Sequence, residues 1–442
     1  MIAVKNNFAD KLIPVSFSFD KNFAGFINID DYEMAATALY KINYNEYLMD
    51  IKTHPYRKDS VIISAVRPRF NVWLHVMYLK LYMRNSGLTF KNANQIPANY
   101  FYIYGLIICI IKSFLFIISA FYFLSLLLLF FNKGWSIAGS FFYILFPPVF
   151  FYIGILEIFE NISMPILVIV FAFIYQCVYL KKEASFLQIF SYAALASFSC
   201  LLRPQTLFIF LIFLVLYLLI WIFNLIKHKT FLTQSRFVFI AALIVFIVHL
   251  PILVANHKKF GAWFLSTQSS SEFLQGHNTY ARGSWYYGLV SVHAKDFAFL
   301  FNKEPGLSNL DEKQEMDIYF EAGKNWMLHH PKEEAILTAR KTALYFLPTN
   351  YLNHIFNPVN LIVYIGTIGF LFFSLYRRIK NASINELLQL AIILTPLIGS
   401  YLLTIIYFMG ERWRYYAEPF MIIYALIFFK DMIGNFYQRI TN

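Results

Sequence analysis

Long apolar runs separated by short polar segments limit what this chain can fold into. Of its 442 residues, 59% are hydrophobic, 20% are aromatic and only 14% are charged. Soluble domains carry about 25% charged residues, whereas a helix needs about 20 mostly apolar residues to cross the hydrocarbon core of a bilayer. The sequence therefore predicts an all-α polytopic membrane protein.

We predict nine membrane segments, with boundaries good to about four residues. They cover 102–131, 136–153, 161–180, 186–202, 204–226, 237–255, 357–376, 385–408 and 415–430. The stretches 1–100 and 256–355 are too polar to cross. Within the second, Asp311 to Phe346 shows helical periodicity with a break at His330-Pro331. The chain thus divides into 1–100, 101–255, 256–355 and 356–442.

The cysteines and the net charge exclude two classes of function. Cys109, Cys177 and Cys200 all fall inside apolar runs, which argues against a disulfide framework and a thiolate metal site. A net charge of +12 suggests nucleic acid for a soluble protein. In a membrane protein it indicates basic flanks that meet anionic headgroups. We therefore expect the lipid bilayer, and no nucleic acid, as a partner.

The basic residues of the short loops predict which side of the membrane each loop faces. One set of loops and the tail together carry Lys133, Lys181, Lys182, Lys227, Lys229, Arg236, Arg377, Arg378, Lys380, Lys430 and Arg439. The opposite set, the two long segments aside, carries only Arg203, Arg412 and Arg414. Positive charge collects in cytoplasmic loops. The stretches 1–100 and 256–355 and the turn around Arg412 are therefore predicted to lie outside.

An outside segment of this length needs a device that carries it across the membrane. Met1 to Phe26 contains five charged residues and no apolar stretch typical of a signal peptide. We expect that the chain lacks a preceding membrane helix, for which a truncated gene start is the simplest cause. Translocation of the N-terminal tail without a signal is the alternative.

The turn Gly410 to Pro419 is the strongest candidate for a binding site. It holds Arg412, Arg414 and Glu418 beside Trp413 and two tyrosines. Arginine binds planar anions with two parallel hydrogen bonds and keeps its charge at any working pH. Since the turn is predicted to lie outside, setting the topology does not explain its arginines. The pattern indicates that a phosphate or carboxylate is held at the membrane surface.

Several other polar residues are predicted on the same outer face, and each has a structural alternative. Asp30-Asp31 opens an amphipathic helix, where carboxylates serve as caps or as a general base or metal ligand. Arg67 precedes an aromatic-rich helix and also fits a plain interfacial anchor. Glu160 suits a solvated turn or a cavity. Arg203, in a very short Arg-Pro turn, needs a counter-ion or a lipid phosphate.

The remaining polar candidates carry weaker signals. Lys112 lies deep in the first membrane segment, where it either extends to the interface or meets a polar cavity. His249 is predicted to be a hydrogen-bonded core histidine. Gly276-His277-Asn278 suits sugar recognition and equally suits a turn. The histidines show no spacing typical of a metal site, and the sequence leaves open whether a divalent cation assists at Asp30-Asp31.

In chain order these segments resemble those of GT-C glycosyltransferases. They look most like glycosyltransferase family 39 and its relatives, the lipid A aminoarabinose transferases and protein O-mannosyltransferases. The matched segments are Asp30-Asp31 ahead of Ala36 to Leu39, Arg67 to Phe70, Glu160 to Ile162, Leu202 to Pro204, Asn256 with Gly261, Gly276 to Asn278, Trp326 to Pro348, and Arg412 to Phe420. The chain departs from the family in lacking its first membrane helix, in Asp-Asp for Asp-Glu and in Gly-His-Asn for Gly-Asn-Asn.

The resemblance implies a polyprenyl-phosphate sugar donor and transfer to an acceptor hydroxyl of a lipid, glycan or protein, in a bacterial inner membrane. Asp30, or else Asp31, would be the base. Arg412 and Arg414, helped by Arg203 and Arg67, would hold the departing phosphate. An apolar groove between helices would hold the polyprenyl tail. Two alternatives stay open: a flippase for lipid-linked sugars, and an O-antigen polymerase or ligase.

Overall fold

The structure is a computed structural model of the chain. It describes residues 29–44, 50–53, 61–64, 69–91, 95–146, 160–178, 180, 182–229, 235–266, 268–279, 281–283, 312–347, 358–380, 382–407 and 411–441, with some side chains at the ends of these ranges left aside. Helices dominate this part of the chain, which confirms the predicted helical class. The exception is one short antiparallel pair, in which Asp50 lies opposite Ser64.

We number the described elements in chain order. The two strands are β1 (Asp50–Thr53) and β2 (Val61–Ser64). The helices of the first half are α1 (Ile29–Tyr44), α2 (Arg69–Ser86), α3 (Ala98–Leu127), α4 (Lys133–Leu145), α5 (Glu160–Val178), α6 (Phe186–Leu202), α7 (Pro204–His228) and α8 (Ser235–Phe260). Those of the second half are α9 (Gln268–Gly276), α10 (Glu312–His329), α11 (Pro331–Tyr345), α12 (Pro358–Gly369), α13 (Leu375–Lys380), α14 (Ile384–Ile406), α15 (Glu411–Arg414) and α16 (Glu418–Thr441).

Six described helices are long and apolar enough to cross a membrane, so the chain is an integral membrane protein. They are Ala98–Leu127, Asn161–Val178, Pro204–Lys227, Arg236–Phe260, Asn360–Lys380 and Ile384–Ile406. The predicted total of nine is not confirmed. Segment 186–202 forms the shorter apolar helix α6. Segment 136–153 runs from α4 into residues outside the description, and α16 continues past the predicted end at 430.

Helix α5 forms the centre of the bundle. Its spanning window is 94% buried, against 11% for α8, which identifies α5 as a core helix and α8 as a peripheral one. Helix α5 packs between α3 and α6, while α7 packs on α14 and α12 packs on α16. A five-residue π-helical turn, Phe370–Ser374, joins α12 to α13. Buried side chains from α1, α2, α5, α6, α14 and α16 belong to one continuous core cluster.

The polar stretches fold as the sequence predicts where they are described. Helix α1 includes Asp30-Asp31, and α2 begins directly after Arg67-Pro68. The segment after Asp311 forms α10 and α11, which are separated at His330 and Pro331. Proline has no N–H and a fixed φ, so it interrupts the first helix and suits the first turn of the next.

Candidate functional site at the ends of the helices

Some predicted site residues are described by their backbone alone, and one is not described at all. Asp30 and Asp31 lie in the first turn of α1, Glu160 is the first residue of α5, and Arg412 lies in α15. The side chains of these four residues are not part of the description, and Arg67 lies outside the described residues altogether. Their predicted chemistry therefore stays a prediction.

Four of the candidate segments border the same core cluster. The buried members of that cluster include Met34 of α1, Ile162 of α5, Leu202 of α6, Tyr415 just before α16 and Phe420 within α16. Each lies within four residues of a candidate acidic or basic side chain. Helix ends that share a core are held in fixed relative positions because protein interiors are close-packed.

Arg203 occupies the junction between α6 and α7. Its backbone is extended, with φ −143° and ψ 106°. The same residue is the C-cap of α6 and the N-cap of α7. Its N–H donates to the Ser199 carbonyl at 2.9 Å, and its carbonyl accepts from the Thr206 hydroxyl at 2.8 Å. An extended residue before a proline and a proline at the first helical position explain the abrupt turn. The Arg203 side chain is half-buried there.

Arg414 is only 1% exposed and has partners on three elements. Its Nη1 donates to the carbonyls of Tyr345 at 3.2 Å and Leu347 at 2.8 Å. Its Nε donates to Glu418 Oε1 at 3.3 Å, and its guanidinium lies 4.8 Å from the centre of the Tyr364 ring. The last carbonyls of a helix lack partners within it. Arg414 therefore caps the end of α11 and ties α11 to α16.

Glu418 completes this buried pair. It is 1% exposed, and its Oε1 also accepts a hydrogen bond from the Tyr364 hydroxyl at 3.0 Å. The carboxylate lies in the first turn of α16, where the helix dipole favours a negative charge. Through their described contacts, Arg414 and Glu418 therefore hold the Gly410 to Pro419 turn in place.

His277 joins α9, α11 and α14. Its Nε2 donates to the Ile406 carbonyl at 2.7 Å, and its Nδ1 lies 2.9 Å from Glu334 Oε2. Lys341 Nζ donates to the Ile405 carbonyl at 3.0 Å and lies 3.3 Å from His277 Nε2. Both carbonyls belong to the last turn of α14, where cations are favourable. This polar joint fixes the chain six and seven residues ahead of Arg412.

The neighbours of His277 explain the rest of the Gly-His-Asn pattern. A side chain at Gly276 would place its Cβ 1.6 Å from the Tyr407 carbonyl oxygen, so only glycine allows this approach of α9 to α14. The Asn278 amide donates to the Leu274 and Gln275 carbonyls at 2.8 and 3.2 Å. It thereby satisfies carbonyls at the end of α9. Gly276 and Asn278 therefore both have a structural role in this turn.

Burial perturbs the ammonium group of Lys341. It lowers the pKa of Lys341 from 10.5 to about 8, and the nearby Glu334 carboxylate opposes only part of that shift. Because the folded-state pKa lies below the unfolded one, the unfolded chain binds more protons between these two values. The free energy of unfolding therefore rises with pH from about 8 to 10.5.

Replacing Lys341 by methionine is expected to remove this rise. Thermal melts in detergent should show the wild type gaining stability relative to Lys341→Met as the pH increases through that window. Lys324→Met is the matched control, because the exposed Lys324 pairs with Glu321 on its own helix. If the melting temperatures of the wild type and Lys341→Met change in parallel with pH, the lowered pKa of the buried Lys341 is contradicted.

An apolar cavity of about 620 Å³ lies among α5, α6, α7 and α8. Its lining includes Val170, Ala193, Phe210, Phe237 and Leu253, and polar side-chain atoms come only from Tyr192 and His249 among the lining residues. As predicted for a core histidine, His249 hydrogen-bonds within its helix, from Nδ1 to the Val245 carbonyl at 2.7 Å. The cavity suits a hydrocarbon chain, since its wall is almost entirely apolar.

The described residues hold no group of three or more His, Cys, Asp or Glu side chains arranged to bind a metal ion. Asp30 and Asp31 are not covered by that statement, because their side chains are outside the description.

Sequence reasoning missed the partners in both buried clusters. Glu334 and Lys341 are seven residues apart, so they lie on one face of α11, and this spacing was visible in the sequence. Tyr364 gave no comparable signal, since it is one of 31 tyrosines in an aromatic-rich chain.

Comparison of the chain with protein-family models, curated proteins and solved structures found no match.

Proposed function

We propose that this protein is a membrane glycosyltransferase. It moves a sugar from a polyprenyl-phosphate donor to an acceptor hydroxyl at the outer membrane face. The observation that carries the proposal is that four candidate segments meet the same buried core cluster. The starts of α1, α5 and α16 and the junction of α6 with α7 all meet that core, and each carries a candidate acidic or basic residue.

The chemistry needs a base and a cation. Asp30, with Asp31 as the alternative, takes the proton of the acceptor hydroxyl as its oxygen attacks the anomeric carbon. The bond from that carbon to the phosphate oxygen breaks, and the electron pair leaves with the lipid phosphate. Arg412, helped by Arg203 and Arg67, stabilises the charge that develops on it. Direct displacement of this kind inverts the anomeric centre.

The contacts of Arg414 change its part in this proposal. Its guanidinium already satisfies two carbonyls and a carboxylate. We assign it to holding the turn that presents Arg412, whose charge then meets the phosphate. His277 and Lys341 support the same turn from the end of α14. His277, Asn278, Arg414 and Glu418 are therefore positioning residues in this proposal.

A flippase for lipid-linked sugars is the second candidate, and Lys112 favours it. This lysine is 1% exposed and lies inside the spanning helix α3. Buried charges within membrane segments often mark a transport path. The candidate charges otherwise lie at helix ends, which favours the transferase.

Arg412→Ala is expected to reduce sugar transfer about 100-fold or more, because removing one donor that stabilises a developing oxyanion has an effect of this order. The test is a deletion strain carrying wild-type or variant protein, with mass spectrometry of its surface lipids, glycans and proteins. Arg236→Ala is the matched control, an exposed arginine at the start of α8. Normal transfer by an expressed Arg412→Ala variant would contradict the proposal.

The same strains separate the two candidates. Loss of a transferase leaves the lipid-linked sugar in the outer leaflet, where a membrane-impermeant oxidant reaches it. Loss of a flippase leaves it in the inner leaflet, protected from that oxidant. Protection in the deletion strain would overturn the transferase assignment.

A further inference from the structure

His277 and Glu334 must share a proton in the polar joint at the end of α14. The Ile406 carbonyl can only accept a hydrogen bond, so His277 Nε2, 2.7 Å away, carries a hydrogen. His277 Nδ1 lies 2.9 Å from a carboxylate oxygen of Glu334, which is hydrogen-bond distance. A proton therefore lies between these two atoms, bound either to the imidazole or to the carboxyl group. Without it, two lone pairs would face each other.

Burial prevents water from replacing this shared proton. The side chains of His277 and Glu334 are only 2% and 14% exposed. The other carboxylate oxygen of Glu334 already accepts from the Thr338 hydroxyl at 3.2 Å. An ionised carboxylate that faces an unprotonated ring nitrogen is unfavourable here, because both atoms lose their partner at a site that water barely reaches. Removing the proton therefore breaks the contact between the two side chains.

The contact lies where two pairs of helices meet. Helix α9 packs against α10, and α11 packs against α14. His277 directly follows α9, whereas its partners belong to α11 and to the last turn of α14. Gly276 permits a close approach of α9 to Tyr407 but has no side chain to hold it. The bonds of His277 therefore hold the α9–α10 pair against the α11–α14 pair.

The chain has a natural hinge between these two pairs. Helix α10 ends at His329 and α11 begins at Pro331, with His330 between them at φ −128° and ψ 52°. Proline cannot continue the hydrogen bonds of the preceding helix, so α10 and α11 do not form one rigid rod. A few residues at the boundary of two elements are enough to absorb a rotation. Release of His277 therefore allows the α9–α10 pair to turn about His330.

The other titratable groups around this contact come from α9, from α11 and from the end of α14, and they are Glu272, Lys341 and Tyr407. From α10, the face against α9 presents Phe320 and Gly323. Burial raises the pKa of Tyr407 to about 12, with Glu272 adding to the shift, and burial lowers the pKa of Lys341 to about 8. Histidine titrates between about pH 5 and pH 8, where this tyrosine is neutral and this lysine is charged. The proton between His277 and Glu334 is therefore expected to leave first as the pH rises.

We propose that the proton shared by His277 and Glu334 is a pH-sensitive latch. While the proton is bound, His277 holds the α9–α10 pair to α11 and α14. When the pH rises and the proton is lost, the bond between His277 and Glu334 breaks and the α9–α10 pair turns away. The latch rests on the contacts above, whereas its effect on sugar transfer rests on the proposed function. Since Ile406 lies six residues ahead of Arg412, opening frees the turn that presents Arg412, and transfer falls as the pH rises.

Glu334→Gln separates a latch from a permanent structural contact. The glutamine amide donates to the unprotonated Nδ1 of a neutral His277, while Nε2 still donates to the Ile406 carbonyl. The variant therefore keeps both hydrogen bonds but has no shared proton to lose, and it is expected to stay closed at every pH. Glu333→Gln is the matched control. It removes a negative charge from an exposed neighbour on the same helix and is expected to behave as the wild type does.

The distance between two nitroxide labels, measured by pulsed electron–electron double resonance on the purified protein, tests the latch. The labels are attached to cysteines at the exposed positions Lys324 of α10 and Lys258 of α8, with the native cysteines replaced by alanine. In the wild type, a second distance should appear between about pH 5 and about pH 8. The ratio of open to closed protein should rise by up to about tenfold per pH unit, the limit for one proton. Glu334→Gln should keep the closed distance alone.

A single unchanged distance in the wild type over this range would overturn the latch. A Glu334→Gln protein that opens as the wild type does would overturn it too, because another group would then control the movement. If Glu334→Gln does not fold, His277→Gln takes its place, since it removes the same titrating pair and should show no dependence of the distance on pH. If the latch opens as expected but no sugar is transferred in cells, only the proposed function fails. If transfer occurs and the distance stays unchanged, only the latch fails.

Discussion

Replacing Arg414 by methionine is expected to destabilise the protein by about 3–5 kcal/mol, because removing one partner of a buried ion pair leaves the other charge uncompensated. The partner, Glu418, is only 2% exposed in its side chain. Methionine keeps much of the side-chain volume, so the loss reports the hydrogen bonds and charge rather than a cavity. The carbonyls of Tyr345 and Leu347 lose their donor at the same time.

A second arginine–carboxylate pair provides the control for Arg414. Arg378 and Asp431 also join two helices, at 3.1 Å, but their side chains are 42% and 37% exposed. Exposed pairs contribute about 0–1 kcal/mol, so Arg378→Met should change stability little. The measurement is thermal unfolding of the detergent-solubilised protein, followed by the loss of its monodisperse peak.

The double variant Arg414→Met/Glu418→Gln sharpens the measurement. It removes both charges, so it is expected to recover part of the stability that Arg414→Met loses. Equal losses for Arg414→Met and Arg378→Met would show that burial of the Arg414 pair has no energetic effect. An Arg414→Met protein that is stable but inactive would instead indicate that Arg414 contacts the substrate.

The helices could be predicted from the sequence because their signals are local. Apolar runs of sufficient length identified the six spanning helices, and Pro331 located the break between α10 and α11. Helix ends were less predictable. The segment predicted to end at 430 forms a helix that continues to Thr441, since Lys430 and Asp431 end the apolar run but not the backbone hydrogen bonds.

The contacts within the candidate site could not be predicted in the same way. Arg414 bonds to a carbonyl 67 residues away, and His277 to one 129 residues away. The sequence singled out Arg414 and Glu418 as part of an anion-binding turn and His277 as part of a motif that suits sugar recognition or a turn. It could not indicate that their partners are helix ends of the same chain, since that depends on how α11 and α14 pack.

Asp30→Asn is expected to reduce sugar transfer by about 100-fold to 10,000-fold, the usual contribution of a general base. Asparagine suits the start of a helix as well as aspartate does, so α1 and its buried residues Met34 and Ala38 should stay packed. The substitution therefore separates catalysis from capping. Asp31→Asn is tested beside it, because the sequence leaves open which aspartate is the base.

Glu33→Gln is the matched control for this test. It removes one negative charge from the same helix, two residues further along the chain than Asp31, and it is expected to leave transfer unchanged. Transfer is measured as for Arg412→Ala, with the amount of protein in the membrane determined in parallel. If both Asn variants support normal transfer, the two carboxylates serve only to begin α1, and the base must be sought elsewhere around the shared core.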